Sequence, residues 1–182
     1  MESDAELQEL AERVGQKLRA AGRRLATAES CTGGWVAKAL TDVPGSSQWF
    51  ECGFVTYSNA AKMRDLKVAG VTLQNFGAVS EQTVREMAEG TLRVAGVTVS
   101  LAVSGIAGPD GGLPGKPVGT VWFCAAARYG EATDVIAEHR LFEGDRAAVR
   151  RRSVSHALRL ILRLDLPVRP EAPVPPVPPT AA

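Results

Sequence analysis

Val97, Thr98, Val99, Ser100, Leu101, Ala102 and Val103 form a nearly continuous run of β-branched and apolar residues. A run of this kind that does not alternate reads as a strand covered on both faces, and sheets covered on both faces belong to α/β proteins. The rest of the chain supplies the covering elements. Ser3-Asp4-Ala5-Glu6 has the form of a capping box, and Leu7, Leu10, Ala11, Val14 and Leu18 follow at helical spacing until Gly22. Residues 25–28 read as a short strand and 35–40 as a helix stopped by Asp42-Val43-Pro44-Gly45. Residues 49–57 alternate and are rich in aromatic and branched side chains, as a strand requires, and 60–66 read as a short helix. A further helix begins at Ser80 and carries Val84, Met87, Ala88, Thr91, Leu92 and Ala95 on one face. Beyond a glycine- and proline-rich loop at 104–117, residues 118–126 and 133–140 read as strands joined by a turn at Tyr129-Gly130. Asp145 then caps a last helix with Val149, Ala157, Leu160, Ile161 and Leu164. This order predicts a three-layer α/β/α fold with a mixed central sheet.

The chain has 182 residues, 45% hydrophobic and 23% charged, which fits one globular domain. We expect that domain at 1–166. A proline-rich tail at 167–182 cannot hold a helix or a central strand and reads as disordered, with its Pro-x-x-Pro spacings leaving a recognition role open. A net charge of +1 gives no pull toward nucleic acid or an anionic membrane. No apolar run approaches the roughly 20 residues of a membrane span, and the acidic start lacks the profile of a signal peptide. Cys31, Cys52 and Cys124 are odd in number and lack any repeat spacing, which predicts reduced thiols and the cytoplasm. The histidines, His139 and His156, stand in no metal-ligand spacing, so neither a metal nor a cofactor is expected.

Glycine-rich loops raise the question of phosphate binding. A Walker loop fails at Asp110 and Pro117 around Gly115-Lys116, no strand is followed by Gly-x-Gly-x-x-Gly, and Ala28-Glu29-Ser30-Cys31-Thr32 lacks the glycines of a hydrolase elbow. What remains is Ser30 between a strand end and Gly33-Gly34 at a helix start, where N–H groups and the helix dipole suit an anion or a developing oxyanion. Ser30 or Thr32 could instead merely cap that helix. Lys62 and Arg146, each taken alone, read as solvated surface charges. Together with Tyr57-Ser58-Asn59, Ser104-Gly105 and Gly144-Asp145, they make four polar clusters at strand ends, a pattern that suits one shared crevice.

Ala28-Glu29-Ser30-Cys31-Thr32-Gly33-Gly34, Tyr57-Ser58-Asn59-Ala60-Ala61-Lys62, Gly77-Ala78-Val79-Ser80 and Gly105-Ile106-Ala107-Gly108-Pro109 resemble blocks of the CinA C-terminal domain family. Lys116-Pro117-Val118-Gly119-Thr120-Val121 and Gly144-Asp145-Arg146 fit the same family, and the blocks follow its order over residues 5–165. The resemblance implies a nicotinamide-nucleotide amidase that converts nicotinamide mononucleotide and water to nicotinate mononucleotide and ammonia. It implies Ser30 as nucleophile, Lys62 as general base and Tyr57 as the residue that orients the pair, with backbone N–H groups after Ser30 holding the oxyanion. It further implies that Thr32, Gly33, Ser47, Ser104 and Gly105 contact substrate, that Arg146 meets the phosphate, and that the protein is a homodimer. Ser104 stands where the family usually has threonine. Two other readings stay open. One is an amidase using Cys31 with Glu29 and Lys62, and the other is a non-catalytic nucleotide-binding or interaction module linked to competence or DNA damage.

Overall fold

A computed structural model describes residues 3–130 and 132–167. The proline-rich stretch beyond Pro167 lies outside the described residues. Five strands form one mixed sheet in the order β2-β1-β3-β4-β5. These are β1 (Leu25–Glu29), β2 (Phe50–Val55), β3 (Val99–Gly105), β4 (Thr120–Tyr129) and β5 (Ala132–Leu141). Helices α1 (Asp4–Ala20), α2 (Trp35–Thr41) and α6 (Arg146–Arg163) share one core with one face of the sheet. On the other face, α5 (Glu81–Ala95) packs with the ends of α3 (Asn59–Leu66) and α4 (Gly70–Phe76) in a second core. The chain is a three-layer α/β/α sandwich. The expected central strand is β3, buried from Val99 to Ser104.

Register places the chemistry. β1 runs parallel to both β2 and β3, with Glu29 opposite Val55 and Val103, so three strands end together along one edge. β4 starts at that edge, with Gly105 opposite Val121, and β5 ends there, with Leu141 opposite Thr120. Ser30, Thr56-Tyr57, Ser104-Gly105 and the start of α6 therefore converge, although up to 116 positions separate them. In an open α/β sheet this is the edge that holds ligands.

The caps expected at Ser3, Ser80 and Asp145 are formed, each side chain accepting from a first-turn N–H. Two departures have local causes. Trp49 does not begin a strand. It closes a 3₁₀ turn at Ser46–Gln48, and its ring packs on Gly15 of α1, where a larger residue would collide with it. Helix α4 has no periodic apolar face and no side-chain cap of its own. Its start is held instead by Glu86 of α5, which accepts from Ala69 N–H at 2.7 Å and from the Thr72 hydroxyl.

Helix α3 carries Lys62, and its position depends on a close approach to α5. Gly90 lies against the Leu66 carbonyl, and a methyl at Gly90 would overlap that oxygen. Gly90→Ala should therefore push α3 outward and cost about 2–3 kcal/mol, or roughly 5–10 °C in melting temperature. Activity should fall with it. An unchanged melting curve would show that α3 is not fixed by this contact.

Candidate active site

The crevice at this edge has a volume of about 280 Å³ and brings together Ser30, Cys31, Tyr57, Lys62, Ser104, Gly105, Asp110 and Arg146. At its floor, Lys62 Nζ donates to Ser30 Oγ at 3.1 Å and to the Thr56 carbonyl at 2.6 Å. Lys62 is only 1% exposed, and no carboxylate pairs with it among the described residues. A cationic amine in such a place loses its hydration without gaining a counter-charge. Burial accordingly pushes the Lys62 amine down from its ordinary 10.5 to about 8. Near neutral pH a useful fraction is then neutral, with a lone pair for the Ser30 proton.

Ser30 is placed by the turn around it. Its N–H donates to Val103 O at 3.0 Å, and its carbonyl accepts from Gly33 N–H at 3.0 Å. Gly33 and Gly34 both have positive φ, at 62° and 91°, which lets the chain turn from β1 into α2 within a few residues. The helix that follows is not capped by Ser30 or Thr32. Glu29 supplies the cap, its carboxylate accepting from the N–H groups of Gly34 (3.0 Å), Val36 (3.0 Å) and Ala37 (2.8 Å). This corrects the expectation that the N-terminus of α2 faces the reacting group, because its N–H groups already hold a buried anion. The N–H groups of Cys31 and Thr32 bond to no oxygen among the described residues, and Cys31 lines the crevice. Of the two, only Cys31 belongs to the crevice lining, so its N–H is the one placed where an oxyanion could accept it.

On the outer side, Arg150 of α6 donates Nε to the Cys31 carbonyl at 3.1 Å and Nη2 to the Thr32 carbonyl at 2.9 Å, with its guanidinium 5.5 Å from the Trp35 ring. The turn after Ser30 is thus gripped from two sides, by Glu29 through N–H groups and by Arg150 through carbonyls. Sequence reasoning missed Arg150. It stands one turn beyond Arg146, but the arginine run 150–152 gives no sign of which one points inward.

The remaining expected residues divide. Ser104 lines the crevice and donates its hydroxyl to the Ala78 carbonyl at 2.8 Å, so toward a ligand it presents lone pairs. Tyr57 also lines it, but its hydroxyl accepts from Arg146 Nη2 at 3.0 Å and makes no hydrogen bond to Ser30 or Lys62. Arg146 Nη1 donates to the Gly108 carbonyl at 2.9 Å, which ties α6 to the glycine-rich loop. Thr32 and Gly33 lie against Arg150 and are not among the crevice residues. Ser47 is not brought to the crevice at all. It precedes β2, whose first residue pairs with the start of β1 at the opposite edge of the sheet, and its carbonyl faces Arg24. Among the described residues no three His, Cys, Asp or Glu side chains cluster so as to hold a metal ion. Nor is any helix among them long and apolar enough to cross a membrane.

Comparison with known proteins gives a consistent result. The model of the CinA C-terminal domain family matches residues 7–164. The chain is 54% identical over 159 residues to the nicotinamide-nucleotide amidohydrolase PncC of Escherichia coli strain K12, covering 87% of this chain and 94% of that protein. It is 52% identical over 155 residues to the protein of the same name from Pseudomonas putida, covering 85% and 94%. Among solved structures, the competence/damage inducible protein CihA from Agrobacterium tumefaciens matches with a TM-score of 0.82 and 42% identity, over 86% of this chain and 94% of that one.

Lys62 gives a prediction whose sign is fixed. A base whose folded-state pKa is depressed binds fewer protons in the folded than in the unfolded chain between about 8 and 10.5, so its cost to stability is full below pH 8 and disappears as pH rises through that window. At neutral pH the cost is about 3 kcal/mol, offset in part by the hydrogen bond to Thr56 O. Lys62→Met should abolish activity, yet melt close to the wild type at pH 7. Between pH 8 and 10 the wild type should gain stability relative to the variant. Parallel melting temperatures across that range would mean that Lys62 is not held in a desolvated site.

Proposed function

Because the chain belongs to the CinA C-terminal domain family, we propose that it hydrolyses the carboxamide of nicotinamide mononucleotide to give nicotinate mononucleotide and ammonia. The observation that carries the mechanism is the 3.1 Å hydrogen bond between Ser30 and a buried lysine that has no ion pair among the described residues. Ser30 Oγ attacks the carboxamide carbon as its proton passes to Lys62 Nζ, and the negative charge gathers on the carbonyl oxygen beside the Cys31 N–H. Collapse breaks the C–N bond while Lys62 returns the proton to the leaving nitrogen, so ammonia departs and a nicotinyl ester remains on Ser30. Water then attacks the ester with Lys62 again as base, releasing the carboxylate and restoring the serine.

Two facts favour Ser30 over Cys31. Burial pushes the Cys31 thiol up to about 12, which removes the thiolate at neutral pH. Glu29, the acid of the rival set, is buried beneath α2 with its oxygens engaged by three N–H groups. Arg146 supports the nucleotide part of the reading. Two of its five N–H groups hold Gly108 and Tyr57, and the guanidinium stays at the crevice wall, where it suits a phosphate. Free cysteines at all three positions agree with a reducing compartment such as the cytoplasm. The homodimer implied by the resemblance is checked by light scattering, which should give twice the 19.2 kDa chain mass.

The purified protein should release ammonia from nicotinamide mononucleotide without added metal. Ser30→Ala should lower kcat by about a thousandfold or more with little change in fold, whereas Cys31→Ala should stay within about tenfold of wild type. Activity that follows Cys31 and survives loss of Ser30 would reverse the roles. A wild type that binds the nucleotide but releases no ammonia would support the non-catalytic module.

A further inference from the structure

Two charged side chains of the crevice have been given partners, Lys62 and Arg146. The third, Asp110, has none. Its carboxylate makes no hydrogen bond or ion pair with any described residue, although it stands at a wall shared with both cations. The loop that carries it is well anchored. Gly108 O is held by Arg146 at 2.9 Å, Gly119 N–H bonds to Ile106 O at 2.8 Å, and Lys116 Nζ reaches across to Phe76 O at 2.7 Å. An exposed carboxylate is thus carried on the crevice wall with no partner among the described residues.

The proposed substrate has a matching charge pattern. Nicotinamide carries no charge, but its nucleotide does, because the glycosidic bond makes the ring nitrogen a quaternary pyridinium. The molecule therefore presents a cation at the ring and an anion at the phosphate. A cavity of about 280 Å³ is only about 8 Å across, so a cation within it lies inside one Debye length of the Asp110 carboxylate. We propose that Asp110 supplies the negative charge by which this crevice prefers a pyridinium amide to a neutral one, while Arg146 answers the phosphate. The proposal rests on the nucleotide amidase reading and adds a specificity residue to it. The pyridinium also withdraws electrons from the carboxamide, so a site that selects the cation selects the more electrophilic amide.

Direct calorimetric binding separates this inference from the amidase reading, since it does not depend on turnover. The probes are 1-methylnicotinamide, a pyridinium without ribose or phosphate, and neutral nicotinamide. The wild type should bind the cation more tightly, and Asp110→Asn should reduce that preference about three- to fivefold while nicotinamide binding stays the same. Asp110→Glu should keep most of the preference, and high salt should shrink it in the wild type. For turnover, Asp110→Asn should raise KM for the nucleotide and leave kcat nearly unchanged. An equal preference in wild type and Asp110→Asn overturns the proposal, as does failure of the wild type to favour the cation. A rise in KM with the cation preference intact would assign Asp110 to the ribose hydroxyls instead. Loss of ammonia release in the wild type would sink the amidase reading, whatever the binding data show.

Discussion

The hydrogen bond from Lys62 to Ser30 joins residues 32 positions apart, and it works only because water is kept from the amine. An exposed lysine would be protonated at neutral pH and could not accept a proton. Here the methylene stem and amine are enclosed, the Thr56 carbonyl takes one N–H, and among the described residues no carboxylate forms an ion pair with the amine. Folding thus accepts an unfavourable site for one residue, and the strands and helices around it supply the compensating burial. The serine hydroxyl gains an amine within hydrogen-bond reach.

Much of the surrounding structure serves to hold that pair still. Parallel pairing of β1 with β2 and β3 fixes where Ser30 and Thr56 emerge, and the Gly90–Leu66 approach fixes α3 beneath them. The turn after Ser30 is fastened by groups of opposite charge. Glu29 draws the N–H groups of α2 inward, and Arg150 holds the carbonyls of Cys31 and Thr32 from α6. Glu29 meets backbone N–H groups, and Arg150 meets backbone carbonyls and the face of Trp35, an arrangement that gives hydrogen bonds with defined direction.

The layer order, the central strand and three of the helix caps were legible in the sequence because they follow local rules. Ser3, Ser80 and Asp145 act on N–H groups three residues away, and β3 declares itself by unbroken burial. Elements decided by distant partners were not legible. Helix α4 lacks an apolar face and is started by Glu86 from another helix. Glu29 caps α2 across a turn of five residues, outside any capping pattern, so the same segment suggested a helix terminus open to an anion. The resemblance named Ser30, Tyr57, Lys62, Ser104, Gly105 and Arg146, all of which line the crevice. It could not separate residues that face the crevice from Thr32 and Gly33 against Arg150, or from Ser47 at the far edge, since that depends on strand register. Arg150 and Asp110 were hidden for a different reason. An arginine in an arginine-rich helix and an aspartate in a glycine-rich loop are ordinary surface residues until their neighbours are known.

The account stands on the protonation state of one amine, and that can be observed directly. Selective ¹⁵N labelling of lysine with a Lys62→Met spectrum for assignment allows the Lys62 side chain to be titrated by nuclear magnetic resonance in the intact protein. A midpoint near 8, where burial places it, is the predicted result. A midpoint at the ordinary lysine value of about 10.4 would mean that Lys62 is a charged hydrogen-bond donor at neutral pH, and the serine–lysine mechanism would lose its base.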